Sequence, residues 1–290
     1  MSQIEPPPPA STRSDYLDLL EKVILNAVTP ENGARIEYLV ECLTSGKVAA
    51  QDRNALLHTL VNLHRTDPRA SAALRDLYAS GHWWTYTLGF PLSMIGPHRM
   101  RNIRLAAETV INDKIPGAMV ETGVWRGGAC MMMKGVMRAL SDVRPLYVCD
   151  SFEGLPAVDT GPDKDLNLHE IPILSVPLDD VRSHFERLDL LDEHVHFVKG
   201  WFSETMADVK AATRDGIAVL RLDGDYYSST MEVLQPLCPQ VTPGGFVVID
   251  DYYAFEQCQQ AVDEYRAAHR IRSPLIDIDE NGVYWRAGAV

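Results

Sequence analysis

Two pairs of acidic residues follow apolar stretches in the C-terminal half of the chain. Asp223 and Asp225 end the stretch IAVLRLDGD, and Asp250 and Asp251 end the stretch GFVVIDD. If the two stretches are neighbouring strands of a parallel sheet, four carboxylates meet at one edge and repel each other unless they are protonated or share a cation. Oxygen ligands without a cysteine or histidine cluster nearby favour Mg²⁺, Mn²⁺ or Ca²⁺ over zinc. The alternative for each pair is a set of loop acids and helix caps.

A glycine-rich segment, ETGVWRGG (121–128), follows another apolar stretch and precedes a helical pattern. Gly123 and Gly127 allow the backbone to turn tightly beside a ligand, and the helix N-terminus offers free N–H groups. Glu121 favours a cationic or hydroxylated ligand over a pyrophosphate. Asp150, at the end of PLYVCD, is placed to accept both hydrogen bonds of a ribose diol. Together these residues favour a nucleoside cofactor over an ordinary turn with a solvated aspartate.

Two further positions carry weaker signals. His169 lies in a long insertion, Asp159 to Pro177, where it is a candidate general base or substrate-orienting group, or else a solvated loop histidine. Trp201 and Phe202 form either a stacking surface for an adenine or an aromatic pair of the core.

The elements that must position these residues follow from the periodicity of the sequence. From Gly117 onwards, short β-branched runs alternate with helical stretches, which predicts a doubly wound parallel α/β sheet with right-handed crossovers. Asn281-Gly282, inside PLIDIDENGVYWRAG, predicts a hairpin. Five parallel strands and a C-terminal antiparallel hairpin predict a Rossmann-like sheet of the class I methyltransferase type rather than a dehydrogenase. The predicted helices of this part are 127–140, 178–190, 203–214, 228–238 and 256–268.

The N-terminal part of the chain has a different pattern. Residues 1–14 are rich in proline, which predicts a disordered tail, and residues 15–80 carry apolar side chains at three- and four-residue spacing, which predicts a helical region. Residues 81–116 predict an apolar, glycine- and proline-punctuated segment followed by a leading helix, and we expect 81–101 to form part of a lid over the cofactor. The catalytic domain is then expected to span 117–290.

Composition limits the class of protein. The chain has 290 residues, of which 46% are hydrophobic and 23% are charged, as is usual for globular proteins. A formal net charge of −13 argues against nucleic acid and anionic membranes as partners.

There is no apolar stretch long enough to cross a membrane, and the N-terminus lacks the apolar core of a signal peptide. Five cysteines without a CxxC pair argue against a disulfide framework or a zinc cluster and predict a cytoplasmic protein. The aromatic patch around Trp83 and Trp84 predicts a homo-oligomer.

The motifs, taken in order, resemble those of the macrocin-type sugar O-methyltransferases of antibiotic biosynthesis, whose relatives act on mycinamicin and on the noviose sugar of novobiocin. They run over residues 92–286, about two-thirds of the chain, whereas the helical region 15–80 is longer than is usual in that family. The matching stretches are Met94-Ile95-Gly96 with Arg99 or Arg101, ETGVWRGGA (121–129), DSFEGLP (150–156), Leu168-His169-Glu170, KGWFSET (199–205), LRLDGDYYSSTMEVL (220–234) and PGGFVVIDDYY (243–253).

The resemblance implies transfer of a methyl group from S-adenosyl-L-methionine to a sugar hydroxyl of a small-molecule glycoside, with Mg²⁺ as the metal. It makes Asp225 the favoured general base and places His169 near the reacting hydroxyl. It implies metal ligation by Asp223, Asp250 and Asp251. Glu121, Gly123 and Gly127 would line the methionine part of the cofactor, Asp150 and Ser151 would bind the ribose, and Trp201 would lie near the adenine. The full cofactor set is Met94, Glu121, Thr122, Gly123, Gly127, Asp150, Ser151, Gly200, Trp201 and Asp223.

Two other functions remain open from the sequence. A catechol-type O-methyltransferase shares the cofactor fold and the metal chemistry but takes a flat phenolic diol. A non-catalytic nucleoside-binding module would keep the glycine-rich segment and Asp150 without needing the acidic cluster.

Overall fold

The computed structural model describes residues 10–29, 31–45, 58–63 and 91–288. The chain divides into two compact units, one of them Asp18–His98 and the other Met1–Leu17 together with Arg99–Val290. The predicted α/β sheet lies in the second unit and carries the candidate site.

The sheet has seven strands in the order β3-β2-β1-β4-β5-β7-β6. The first five are parallel, while β7 runs antiparallel to β5 and β6 runs antiparallel to β7. The predicted class of sheet, including its terminal hairpin, is therefore confirmed. The strands are β1 (Ala118–Thr122), β2 (Leu146–Asp150), β3 (Val195–Lys199), β4 (Ile217–Leu222), β5 (Val241–Ile249), β6 (Ile276–Asp277) and β7 (Val283–Arg286).

The helices of the sheet unit lie close to their predicted positions, as expected for strongly periodic segments. A leading helix precedes β1, and the others follow β1, β2, β3, β4 and β5 in turn. They are α3 (Pro97–Asn112), α4 (Gly128–Ala139), α5 (Leu178–Arg187), α6 (Phe202–Ala212), α7 (Tyr227–Leu237) and α8 (Glu256–Ala268). Short 3₁₀ turns at Leu168–Glu170 and Pro172–Leu174 interrupt the insertion between β2 and α5.

The central strands are buried from end to end, as the continuous apolar runs predict for a sheet covered on both faces. Apolar side chains of β1, β4 and β5 form one core cluster with α6, α7 and α8. Arg221 is the exception in β4, a charged side chain that is only 1% exposed in an otherwise apolar strand. Such a residue needs partners, and these are described with the site.

Backbone hydrogen bonds continue past the ends of the strands and align the loops that carry the candidate residues. The N–H of Gly123 donates to the carbonyl of Cys149, and the N–H of Asp223 donates to the carbonyl of Thr122, both at 2.9 Å. The N–H of Asp250 donates to the carbonyl of Leu222 at the same distance. The ends of β1, β2, β4 and β5 are therefore held side by side at the edge where parallel sheets bind ligands.

The N-terminal helices are α1 (Ala10–Ile24) and α2 (Glu31–Ser45), and residues 58–63 are also helical. Because α1 begins at Ala10, the tail predicted to reach residue 14 was drawn too long. The proline run ends at Pro9, and every residue of α1 has a backbone N–H that can donate a hydrogen bond. Trp83, Trp84 and residues 81–90 of the predicted lid lie outside the described residues. In the described part of the chain, none of the helices is long and apolar enough to span a bilayer.

The close approach of the loops that follow β1 and β4 predicts a steric requirement at Gly123. Its φ is +80°, and a Cβ atom there would lie 1.7 Å from the carbonyl oxygen of Asp223. Gly161 has φ +78° with open space around it. Both alanine variants bear the cost of a left-handed residue, about 1–2 kcal/mol, but only Gly123→Ala adds an overpacking cost of about 1–3 kcal/mol. Urea unfolding should show the larger loss for Gly123→Ala, and equal losses would contradict the close approach.

Candidate active site

The glycine-rich loop after β1 is fastened to the end of β2 by Asp150. The Oδ2 atom of Asp150 accepts the N–H of Val124 and its Oδ1 atom accepts the N–H of Phe152, both at 2.7 Å. Burial raises the pKa of Asp150, while these N–H donors act in the opposite direction. The residue predicted to bind a ribose therefore also fixes the loop against which a cofactor would lie.

Three loops at this edge place non-glycine residues in the left-handed region. The φ angles of Trp125, Phe152 and Asp225 are 48°, 56° and 57°, in the loops after β1, β2 and β4. Side chains larger than glycine adopt this conformation only where the surrounding structure enforces it, and such residues gather at functional sites. The same conformation occurs at five other described non-glycine residues, so these angles describe the loops at the carboxyl edge without setting them apart.

Glu121 is buried at the end of β1, with 1% of its surface exposed. One of its carboxylate oxygens accepts a hydrogen bond from Arg221, and the other accepts one from the Cys130 thiol at 2.6 Å. Burial raises the pKa of Glu121 to about 7 even though the positive charge of Arg221 lowers it. The carboxylate points into the layer between the sheet and α4, where both of its oxygens are bonded within the protein.

Arg221 connects the carboxylates of three strand ends. Its Nη1 atom contacts Glu121 and lies 3.0 Å from Oδ2 of Asp223, and its Nη2 atom donates to Oδ1 of Asp250. Arg99, at the start of α3, contacts the other oxygen of Asp250 and donates from Nε to Asp279 at 3.0 Å. Two guanidinium groups are therefore built into the acidic edge.

Arg221 has no role among the predictions from the sequence. The signal was present, because a lone arginine within an apolar strand must be paired if the strand is buried. Its partners were not visible, because Glu121 is 100 residues and Asp250 is 29 residues away along the chain.

Three aspartates come together beside this network. One carboxylate oxygen each from Asp223, Asp225 and Asp251 lies within 4.8 Å of the others. Asp223 keeps 28% of its side chain exposed, so the group is open to solvent. Asp251 is 7% exposed, and its Oδ2 atom is buried without a hydrogen-bond partner.

Repulsion within the group shifts its titration. Burial, followed by the negative charges of Asp223 and Asp250, raises the pKa of Asp225 to about 8. Burial and the neighbouring carboxylates also raise the pKa of Asp251 well above its ordinary value. The arginines do not neutralise all of the charge, which leaves a place where a cation is favoured.

The predicted metal ligands and the observed group share Asp223 and Asp251. Asp250 lies at the same sheet edge, but each of its oxygens accepts a hydrogen bond from a guanidinium group. Asp225, predicted as the base, stands in the place where the prediction put Asp250.

The remaining candidate residues lie on the same loops or further away. Ser151 donates to the carbonyl of Gly154 at 2.7 Å, and buried Thr122 donates to the carbonyl of Arg221 at 3.3 Å. Gly200 donates its N–H to the carbonyl of Asp150 at 3.0 Å, which brings the half-buried Trp201 next to the end of β2.

The other three candidates are Gly127, His169 and Met94. Gly127 precedes α4 with φ +86°. His169 lies in the 3₁₀ turn of the insertion, with 31% of its side chain exposed. Met94 belongs to the other compact unit, and its predicted role in cofactor binding stays a prediction.

Comparison with known proteins identifies a family for nearly the whole chain. Residues 13–287 match the family described as Macrocin-O-methyltransferase (TylF). The 8-demethyl-8-(2,3-dimethoxy-alpha-L-rhamnosyl)-tetracenomycin-C 4'-O-methyltransferase of Streptomyces olivaceus is 39% identical over 279 residues, 94% of this chain and 93% of that protein. The demethyldecarbamoylnovobiocin O-methyltransferase of Streptomyces niveus is 48% identical over 200 residues, 67% of this chain and 75% of that protein. The solved structure of the O-methyltransferase NovP superposes with a TM-score of 0.75 at 38% identity, covering 94% of this chain and 98% of that one.

The buried charge network predicts a strong dependence of stability on Arg221. Arg221→Leu leaves Glu121 and Asp250 buried without this cation, which should lower the free energy of unfolding by about 3–5 kcal/mol. The loss should be greater at pH 8 than at pH 5.5. Burial already raises the pKa of Glu121 to about 7 beside Arg221, and without that cation the pKa would be higher still, so the fold loses stability as the pH rises toward it.

Denaturant unfolding at both pH values measures this effect. The matched control is Arg182→Leu, which removes an exposed arginine paired with Glu186 on α5 and should change stability by only about 0.5 kcal/mol. A loss for Arg221→Leu no greater than that of the control would contradict the network.

Proposed function

The chain belongs to the macrocin-O-methyltransferase family, and we propose that it transfers the methyl group of S-adenosyl-L-methionine to a sugar hydroxyl of a glycosylated small molecule. The observation that carries the proposal is the group formed by Asp223, Asp225 and Asp251, at the sheet edge that also holds the glycine-rich loop. The name of the tetracenomycin relative, which specifies a rhamnosyl substrate, supports a sugar as the acceptor. We extend the proposal to antibiotic biosynthesis on the same ground.

The loops after β1 and β2 are the part of the protein that would hold the cofactor. The loop from Gly123 to Gly127 turns at this edge, held by hydrogen bonds from its Gly123, Val124 and Gly127 N–H groups to other protein atoms. Asp150 offers a carboxylate at the position where a ribose diol binds in such sheets. The Oδ2 atom of Asp150 accepts the N–H of Val124, while its Oδ1 atom accepts the N–H of Phe152 and lies 3.3 Å from the Ser151 hydroxyl, so a ribose hydroxyl would compete with the Ser151 contact. A carboxylate acceptor at the end of β2 suits the ribose of a nucleoside. We propose that Trp201, which lies next to the same strand end, contacts the base.

A divalent cation fits the acidic group, and we propose Mg²⁺. The unpartnered Oδ2 atom of buried Asp251 is what a cation site would leave when no other donor is present. The ligands are all oxygens, which suits a hard cation. We propose Asp223 and Asp251 as ligands and Asp250 as the third, because its oxygens retain lone pairs that the guanidinium groups do not use. Bound there, the cation would lower the pKa of a sugar hydroxyl and fix its orientation.

Asp225 is the proposed proton acceptor. The pKa of Asp225 is about 8 without a cation. A cation bound to the neighbouring carboxylates would favour the ionised form of Asp225 and so lower this pKa. Asp225 could then accept the hydroxyl proton while the bond from the oxygen to the methyl carbon forms and the sulfonium–methyl bond breaks, which leaves S-adenosylhomocysteine. In the alternative assignment Asp225 is the third ligand and His169 accepts the proton.

Removal of the metal and of single carboxylates separates these roles. EDTA should abolish activity and Mg²⁺ should restore it. Asp251→Asn should weaken Mn²⁺ binding, measured by calorimetry, together with turnover. Asp225→Asn should keep the ion and lose about 10²–10⁴ in rate. Asp208→Asn, on the exposed face of α6, is the control and should change neither quantity.

Two results would revise this assignment. Loss of Mn²⁺ binding in Asp225→Asn but not in Asp250→Asn would make Asp225 a ligand. Activity that resists EDTA would remove the metal from the proposal altogether.

The acceptor is tested with a panel of compounds. The protein is incubated with S-adenosyl-L-methionine and either deoxysugar glycosides or catechols, and products are detected as a mass gain of one methylene. We expect methylation of glycosides that have two neighbouring hydroxyls, because a bound cation can be chelated by both. Methylation of catechols alone would favour the phenolic alternative, and retention of the cofactor without turnover of either class would favour a binding module.

We also propose that the enzyme acts in the cytoplasm as a homo-oligomer. All five cysteines are unpaired, which suits a reducing compartment. Exposed apolar side chains on α1 support self-association, among them Leu19, which is 58% exposed.

A further inference from the structure

The insertion between β2 and α5 is attached to the site by a buried aspartate. Asp163 is 1% exposed, although it lies in a loop. Its Oδ1 atom accepts the N–H of Tyr227 at 2.7 Å, and its Oδ2 atom accepts the N–H of Ser228 at 2.9 Å. Both donors belong to the first turn of α7, more than 60 residues further along the chain.

These bonds complete a helix end that its own sequence leaves uncapped. The N-cap residue of α7, Tyr226, makes no capping hydrogen bond with its side chain. The first N–H groups of a helix need acceptors, and a carboxylate there is also favoured by the helix dipole. Asp163 provides the acceptors and the negative charge, so the capping of α7 and the position of the insertion depend on the same contact.

Two more hydrogen bonds hold the insertion further along. The hydroxyl of Tyr226 donates to the carbonyl of Leu166 at 3.0 Å, and Nε1 of Trp125 donates to the carbonyl of Ile173 at 2.7 Å. Tyr226 directly follows Asp225, whereas Trp125 lies in the glycine-rich loop. The segment between these anchors, which includes His169, therefore extends from the acidic group to the loop proposed to hold the cofactor.

We propose that Asp163 is a positioning residue for the acceptor, and that the segment 164–174 which it holds forms a wall of the acceptor site. This inference rests on the proposed function, because an acceptor must lie between the methyl donor and the acidic group. The segment offers partly buried and exposed apolar side chains together with His169, which suits a glycoside whose sugar is polar and whose aglycone is apolar. These side chains are Leu166, Leu168, Ile171, Ile173 and Leu174.

The test separates positioning from general stability. Asp163→Ala should raise the KM for the glycoside at least tenfold, while the affinities for S-adenosylhomocysteine and Mn²⁺ stay within twofold of the parent. It should also speed proteolytic cleavage within 159–177. The control is Asp159→Ala, which removes an exposed acid of the same insertion outside the proposed wall and should leave all four quantities unchanged. Asp163→Asn keeps one acceptor oxygen, so its KM should lie between those of the parent and Asp163→Ala.

A second variant covers the case in which Asp163→Ala does not fold. Tyr226→Phe removes only the hydroxyl that holds Leu166, so it should raise the KM and speed cleavage in the same direction, by a smaller factor. An unchanged KM in both variants, or a loss of cofactor and metal affinity as large as the change in KM, would overturn the inference. If the parent methylates no glycoside, the proposed function fails, while the cleavage rates still decide whether Asp163 holds the insertion.

Discussion

The carboxyl edge of the sheet depends on one buried cation, the guanidinium group of Arg221. It lies in the central strand β4, directly opposite Glu121 of β1 in the strand register, and reaches Asp250 at the end of β5. A buried charge is tolerable only when its partners are in place, so these three strand ends can adopt essentially one relative arrangement. The loops that carry the glycine-rich segment and the aspartate group begin at those strand ends.

The network also divides the carboxylates into two kinds. Glu121 and Asp250 are paired with arginines and hold the strand ends together. Asp225 and Asp251 have no such partner within hydrogen-bonding distance in the described part of the chain, and Asp223, which contacts Arg221 at 3.0 Å, is still partly exposed. The acidic cluster of the sequence therefore consists of two sets of carboxylates in the structure, one paired with arginines and one only partly neutralised. The proposed cation would lie where the two sets meet, beside Asp250.

The sequence was enough to predict the sheet, its hairpin and most helix positions, because strand and helix periods are local properties. It was also enough to place Gly123, Asp150, Asp223 and Asp251 at one edge, since the carboxyl ends of parallel strands share an edge. It did not reveal the pairing of Arg99 with Asp250 or the capping of α7 by Asp163. Those contacts join residues 151 and 64 positions apart, and they depend on the strand order and loop path, which no short window of sequence encodes.

The pairing of Arg221 also determines when, during synthesis, the site can exist. A nascent chain that ends before β4 has the glycine-rich loop but lacks the cation for Glu121, and one that ends before β5 has Arg221 without Asp250. Burial of either strand end in such an intermediate would carry the full cost of an unpaired charge. The ion pairs at this edge of the sheet therefore form only after most of the chain has been synthesised, and contacts of such long range are slow to form. Until then, incomplete chains expose apolar surface and unpaired strand edges, which are the features that make unfinished proteins prone to aggregation and dependent on chaperones.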